Sequence, residues 1–299
     1  MNRGLVYAGI LVVIWSWVTP FITLLSEDFD VFTQNFYRFL AGGLILLPIA
    51  LFSRRKEFLE AIKAHWPKLL LLALVVFLVQ TAWVKGIYMT TPTTAVLIAD
   101  VDVVSIALLS ALFFEAERDI VRRKYFLAGS ALAIVGVIGV ALGKEHAGTE
   151  FNAGVALVLA RSVLWASYIV SIRALMDKEN PLVIAAWVYL LSSILLLPTV
   201  LVWGDIGKVT VVPVTTNVLL FGSGALCVGI GNALNFAVIK RLGSTISVTL
   251  LLVIPFTTGI ISYLIWDETL TAVQIGSGMV IILSCLLIVR KVVTNEAKD

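Results

Sequence analysis

Ten apolar stretches, each of about 20 residues, follow one another along this chain and restrict what it can fold into. A helix of roughly 20 residues crosses the hydrocarbon core of a bilayer. Only 14% of the residues are charged, whereas soluble proteins carry about 25%. The sequence therefore predicts an all-α membrane protein with ten transmembrane helices, at 4–25, 32–52, 68–88, 93–114, 124–143, 152–173, 181–203, 217–238, 245–266 and 271–290.

The basic residues predict how the chain is oriented, because cytoplasmic loops are enriched in Lys and Arg. Of the 22 Lys and Arg residues, seventeen fall on the side of the N-terminus, and only Lys144 and Lys208 fall in loops on the other side. Both termini are therefore expected in the cytoplasm. The first apolar stretch continues to Leu25 without a small-residue cleavage site, so it is expected to remain as a helix and not to act as a signal peptide.

The two halves of the chain resemble each other. Trp15 corresponds to Trp165 and Pro48 to Pro198, and the segment ALLSALFFEAE, which ends the fourth stretch, corresponds to GIISYLIWDET in the ninth. Five helices per half is an odd number, so the second copy must be inverted in the membrane. Inverted repeats are typical of transporters, which bind substrate near the midplane between the halves. We predict a first repeat over 1–146, a second over 147–299, and a central cavity.

The fourth stretch carries Asp100 and Asp102 near its middle. A charged Asp at the centre of a membrane helix costs about 2.5–3.5 kcal/mol, so ionisable groups there are either candidate functional residues or members of a structural ion pair. Residues that are two positions apart point in directions that differ by about 200° around the axis of an α-helix. We therefore expect one carboxyl to face the cavity and the other to pack against a neighbouring helix. Desolvation favours the neutral form of a carboxyl, and a protonated Asp would make protons a coupling partner.

Three basic residues also lie inside apolar stretches. From the rise of about 1.5 Å per residue, Arg38 and Lys85 lie in the outer thirds of their helices and Arg161 lies near the middle of the sixth. Lys85, and less readily Arg38, can extend to the outer headgroups by snorkelling. Arg161 is too deep for this, so we expect it to pair with Asp100 or Asp102.

Arg161, Trp165 and Tyr168 are spaced i, i+4 and i+7, on one face of the sixth helix. An arginine beside two aromatic rings suits a small molecule with a carboxylate and an apolar or cationic part, although such stripes also serve ordinary helix packing. Trp15 and Ser16 belong to a polar and aromatic face of the first helix, and Asn232 and Asn235 of the eighth helix either bind substrate or bridge helices. The candidate substrate-binding residues are Arg38, Lys85, Asp100, Asp102, Arg161, Trp165, Tyr168, Trp15, Ser16, Asn232 and Asn235.

Several segments together resemble a known family: the early Trp15, the TTPTTAVL link after Gly86, the run KRLGSTISVTLLLVIP into Pro255, the FFEAE and WDET segments, and the glycines that open the last helix of each half. On these residues the chain resembles the drug/metabolite transporter superfamily, in its EamA-type branch of ten-helix bacterial metabolite exporters. The resemblance implies a location in the cell inner membrane, alternating access, and amino acids or related small metabolites as substrates.

The function expected from the sequence is therefore secondary transport, in the direction of export, of an amino acid or another carboxylate-bearing metabolite by a protein embedded in membrane lipid. The alternative is an organic-cation transporter in which an intramembrane Asp and aromatic rings form a cage for a quaternary amine. His65 and His146 both lie outside the apolar stretches, so we expect no metal site and no histidine-dependent intramembrane protease. Neither enzymatic activity, a cofactor nor a nucleic-acid partner is expected.

Overall fold

The structure is a computed structural model that describes residues 3–113, 122, 124–142, 149–176 and 179–296. Over these residues, helix occupies each of the ten predicted spans. The α-helices are α1 (Arg3–Ser16), α2 (Val18–Leu25), α3 (Val31–Tyr88), α4 (Pro92–Ala99), α5 (Asp102–Phe113), α6 (Lys124–Leu142), α7 (Thr149–Met176), α8 (Pro181–Trp203), α9 (Val214–Ser223), α10 (Gly231–Leu251), α11 (Ile254–Trp266) and α12 (Ala272–Glu296), with a 3₁₀ turn at Ile206–Thr210 and a π-helix at Gly224–Ile230.

The helices of the structure can be matched one by one to the ten predicted spans. Within the described ranges, six helical stretches are long and apolar enough to cross a membrane, and one of them, Val31–Tyr88, has 58 residues. This stretch contains the second and third spans, which are separated by non-helical backbone at Arg54 and His65. Three shorter apolar helices correspond to the fifth, ninth and tenth spans. The ten-helix prediction is confirmed, while the predicted repeat boundary at 146/147 lies outside the described residues.

The start of α3 and the start of α8 show the repeat in three dimensions. Each helix begins after a residue whose side chain caps the first turn: Asp30 Oδ1 accepts from Phe32 N at 2.8 Å, and Asn180 Oδ1 accepts from Leu182 N at 3.0 Å. Such caps satisfy backbone N–H groups that have no partner within the helix. Buried and exposed positions then follow nearly the same order over 31–50 and over 181–200.

The fourth and ninth spans are interrupted at corresponding points. In the fourth span α4 ends at Ala99 and α5 begins at Asp102; in the ninth, α10 ends at Leu251 and α11 begins at Ile254. Pro255 explains the second break, because it has no N–H to donate to the carbonyl of Leu251 four residues earlier. The two breaks coincide when the spans are aligned through their similar ends, so they belong to the repeated architecture.

The link between the second and third spans packs against the second half of the chain. Trp187 stacks on Phe58 with ring centroids 4.4 Å apart, and its Nε1 donates to the Phe58 carbonyl at 2.8 Å. At the end of the same link, His65 Nε2 lies 3.0 Å from Glu179 Oε1. These contacts hold the two repeats together at a distance from the central cavity.

Candidate functional site

A cavity of about 150 Å³ lies between the two halves. Four of the five charged residues inside the apolar stretches, Arg38, Asp100, Asp102 and Arg161, line it. Pockets for drug-sized ligands have volumes of about 300–1,000 Å³, so this cavity suits a smaller molecule. The helix breaks at Asp100 and at Leu252 both open onto it.

Arg161 and Asp102 form an ion pair in the cavity wall. Arg161 Nη1 donates to Asp102 Oδ2 at 2.5 Å, and the two side chains are only 11% and 15% exposed. The Arg161 guanidinium also lies over two aromatic rings, with Cζ 4.6 Å from the ring centroid of Trp83 and 5.2 Å from that of Trp165. The predicted pairing of Arg161 is confirmed, and its partner is Asp102. The charge of Arg161 is therefore already compensated within the protein.

Both Asp100 and Asp102 line the cavity, so the expectation that only one of them faces it was wrong. The backbone explains the difference. Val103 N donates to the Asp100 carbonyl at 3.2 Å and Val104 N donates to the Val101 carbonyl at 3.0 Å, which is the i→i+3 pattern with about 120° per residue. Two positions along such a turn lie about 120° apart around its axis, compared with about 160° in a regular α-helix.

Arg38 is the second cation of the cavity, and its side chain is 2% exposed. In the part of the chain that the structure describes, no carboxylate forms an ion pair with it, and its Nε–H has no hydrogen-bond partner. The Arg38 backbone lies against the π-helix, where a Cβ added at Gly224 would come within 2.5 Å of the Arg38 carbonyl oxygen. Glycine at this position thus permits the close packing that places Arg38 beside the cavity.

The π-helix forms the part of the wall next to Arg38. Trp15 Nε1 donates to the carbonyl of Cys227 at 3.4 Å, and Asn232 Nδ2 donates to the carbonyl of Val228 at 2.9 Å. Trp15 also meets Trp165 edge to face, with centroids 6.4 Å apart. Since π-helices are frequent at functional sites, this segment strengthens the assignment of the cavity, and Trp15, Trp165 and Asn232 all line it.

The other predicted site residues lie outside the cavity lining. Ser16 is buried and donates to the carbonyl of Val12 at 2.7 Å. Tyr168 is buried behind Trp165, with ring centroids 5.3 Å apart, and Asn235 is likewise buried. Lys85 has an exposed side chain, which is the arrangement expected for a lysine that snorkels toward the headgroups.

Thirteen of the lining residues were absent from the predicted site, among them Thr19, Gln80 and Trp83, which have polar or aromatic side chains. Gln80 and Trp83 both lie on the third span, one turn apart, and a polar glutamine inside an apolar stretch is the signal that could have identified them. The Gln80 carbonyl accepts from Asn35 Nδ2 at 3.3 Å, which fixes the third span against the second, the helix that carries Arg38.

Comparisons with known proteins agree with this architecture. A sequence model of the EamA-like transporter family matches residues 2–142 and 152–290. An uncharacterized transporter of Haemophilus influenzae is 27% identical over 287 residues, which cover 91% of this chain and 92% of that protein. An uncharacterized transporter of Archaeoglobus fulgidus is 27% identical over 263 residues, covering 87% and 88%. A protein of known crystal structure has a similar fold, with a TM-score of 0.71, 18% identity and complete coverage of both chains.

Proposed function

Because this chain belongs to the EamA-like transporter family, we propose that it is a secondary transporter that exports small polar metabolites, chiefly amino acids, across the cell inner membrane. Transporters of inverted-repeat architecture bind substrate near the midplane, at discontinuous helices, and the cavity here adjoins breaks in the fourth and ninth spans. The asymmetry of Lys and Arg between the loops supports cytoplasmic termini.

The observation that carries this proposal is the buried Arg38. A cation held in a low-dielectric cavity is costly unless an anion compensates it. Arg161 has Asp102 as its partner, whereas no described carboxylate forms an ion pair with Arg38. The carboxylate of a substrate would supply the missing countercharge through charge-assisted hydrogen bonds. The ammonium group of an amino acid would then lie toward the carboxyl of Asp100, which lines the same cavity.

Transport would proceed by alternating access, with the helix breaks as hinges. The segments on either side of Asp100 and of Leu252 are separate helices. In the fourth span they are joined by i→i+3 hydrogen bonds and not by a regular α-helical ladder, so we expect the segments to tilt at these breaks. A cavity-lining carboxyl that takes up a proton on one side and releases it on the other would couple transport to the proton gradient. Protons are therefore the proposed coupling ion.

The alternative, transport of an organic cation in an aromatic cage, has less support from the geometry. Such a cage binds the cation over the ring faces. Here the faces of Trp83 and Trp165 already lie against the Arg161 guanidinium, at 4.6 Å and 5.2 Å. A quaternary amine would have to displace a protein cation that is also paired with Asp102.

The proposal is tested by ligand-dependent thermal stability of the purified protein in detergent, followed by transport in proteoliposomes. Each amino acid is compared with its deaminated acid and its decarboxylated amine, and choline is added as a quaternary amine. A ligand at one hundred times its Kd stabilises the native state by about 2.7 kcal/mol. We expect amino acids to bind best, the matching acids more weakly, and the amines and choline least.

Two charge-removing variants distinguish a site residue from a general effect of charge. Arg38→Gln should abolish the stabilisation by amino acids, because loss of one partner from a buried charge pair costs about 2–5 kcal/mol. Lys85→Gln removes an exposed cation from the third span and should leave binding unchanged. Binding of choline or of the amines that equals that of amino acids, and that survives Arg38→Gln, would reverse the assignment in favour of the organic-cation alternative.

A further inference from the structure

The two repeats place different chemistry at corresponding positions of the cavity wall. When the fourth and ninth spans are aligned through their breaks, Asp100 corresponds to Leu252 and Asp102 to Ile254. All four residues line the cavity. The first repeat therefore presents carboxyl groups at this break where the inverted second repeat presents aliphatic side chains, and it contributes further apolar residues such as Val18, Val96 and Ile106 to the lining.

Most of the polar groups that the second repeat contributes to the lining are engaged with the protein itself. Asn232 Nδ2 donates to the Val228 carbonyl at 2.9 Å, and Cys227 Sγ lies 3.7 Å from the Ile14 carbonyl. Arg161, also from the second repeat, pairs with Asp102. The ninth span contributes Leu251, Leu252 and Ile254 to the lining. Of the described residues, those of the second repeat thus offer a substrate mainly aliphatic contact.

Most polar groups that remain available to a ligand come from the first repeat; in the second repeat, Asn232 Oδ1 also accepts no hydrogen bond from a described residue. Arg38 has no described counter-ion, and the hydroxyl of Thr19, a residue 1% exposed, has no hydrogen-bond partner. Gln80 lines the cavity, and its side-chain carboxamide makes no hydrogen bond to a described residue. A buried polar group without a partner costs about 1–3 kcal/mol, so Arg38 and Thr19 favour a ligand whose polar end lies beside them, and the half-buried Gln80 can donate or accept there.

We infer that the preferred substrates are neutral amino acids with an aliphatic side chain. This inference rests on the proposed amino-acid transport and adds the orientation of the substrate. The carboxylate lies at Arg38 and Gln80 of the first repeat, and the side chain extends to Leu252 and Ile254 of the second. Substrates with a charged or amide side chain would have to bury that group against an aliphatic surface without a partner.

A homologous series of substrates measures this contact directly. Burial of one methylene group raises affinity about fourfold. Along glycine, alanine, 2-aminobutyrate, norvaline and norleucine, Kd measured by isothermal titration should fall about fourfold per carbon until the cavity of about 150 Å³ is filled. Threonine, which has the shape of valine but carries a hydroxyl, should bind about tenfold more weakly than valine.

Adjacent positions of the ninth span supply a test variant and its matched control. Leu252 is 4% exposed and lines the cavity, whereas Val253 is 49% exposed and lies outside the lining. Leu252→Ala should lower affinity for norleucine about tenfold or more, because it removes apolar contact with the end of the ligand, and should leave glycine affinity unchanged. Val253→Ala should change neither. Retained glycine binding establishes that the Leu252→Ala protein is folded.

The outcomes separate this inference from the proposed function. If no amino acid or carboxylic acid binds, the proposed function fails and the inference fails with it. If amino acids bind through Arg38 but affinity is independent of chain length, or if glutamine or serine binds more tightly than norvaline, the proposed function stands and the aliphatic specificity is refuted. A loss of norleucine affinity in Val253→Ala equal to that in Leu252→Ala would likewise refute it.

Discussion

The Arg161–Asp102 pair provides a quantitative test of the cavity wall. Its Nη1–Oδ2 distance is 2.5 Å and both side chains are largely buried, so removal of either partner leaves a charge in a low-dielectric site. Loss of one member of a buried pair costs about 3–5 kcal/mol, whereas replacement of both members by apolar residues is often neutral. We expect Arg161→Met and Asp102→Leu each to lower the free energy of unfolding by about 3–5 kcal/mol, and the double variant to lie close to wild type.

The measurement is a double-mutant cycle of unfolding in mixed micelles, followed by circular dichroism. With single variants at about 3–5 kcal/mol each and a double variant near wild type, the expected coupling energy is about 6–10 kcal/mol. This exceeds the range of about 0.5–3 kcal/mol for residues in contact, because each single variant leaves an uncompensated buried charge. Lys85→Met, a change at an exposed cation, should stay within about 0.5 kcal/mol of wild type. Additive effects in the double variant would contradict the ion pair, and with it the argument that leaves Arg38 as the cation available to a substrate.

Three further predictions concern packing, capping and the contact between repeats, and all are measured as changes in the free energy of unfolding. Gly224→Ala should destabilise the protein by about 1–3 kcal/mol, because the added Cβ would meet the backbone of the second span. A Cβ added at Gly222 would have no atom within 4 Å, so Gly222→Ala should not destabilise the protein. Asp30→Ala should lose about 1 kcal/mol of helix capping, whereas Glu27→Ala, at an exposed residue, should change little. Trp187→Phe should lose about 1 kcal/mol by removing a 2.8 Å hydrogen bond while retaining an aromatic ring.

Hydropathy predicted the ten spans well because a membrane requires every spanning segment to be apolar over about 20 residues. The repeat could also be predicted from the sequence, since Trp15 and Trp165 occupy corresponding positions of the two halves, and both line the cavity. Depth along the helices was sufficient to predict that Arg161 would lie near Asp100 or Asp102. These inferences need only distances along the membrane normal, which the rise per residue supplies.

Rotation around the helix axis was harder to predict. The angle between Asp100 and Asp102 depends on the break in the fourth span, and no Pro marks that break. In the ninth span Pro255 removes the donor for the Leu251 carbonyl, so the same break was in principle visible there. An alignment of the two repeats would have predicted a break in the fourth span as well. With that break, both carboxyl groups would have been predicted to lie at the cavity.

Gln80 and Trp83 were missed because each looks unremarkable alone. A single glutamine carries no charge, and a single tryptophan in an apolar stretch is usually a packing residue. Their significance depends on Arg161, which comes from a helix of the other repeat and lies 4.6 Å from the ring centroid of Trp83. Contacts of this kind require the relative rotation of two repeats, which hydrophobic periodicity does not specify.

The difference between the two arginines follows from the asymmetry of the repeats. At the position that corresponds to Arg38, the second repeat has a buried valine, Val188, and both helices otherwise show nearly the same order of burial. Packing at this position is therefore satisfied by an apolar residue, so the scaffold does not require a charge there. Arg161 is compensated by Asp102, and its charge is accounted for within the protein. The buried charge of Arg38 is left for a ligand to compensate, which is why the proposed function depends on this residue more than on the ion pair.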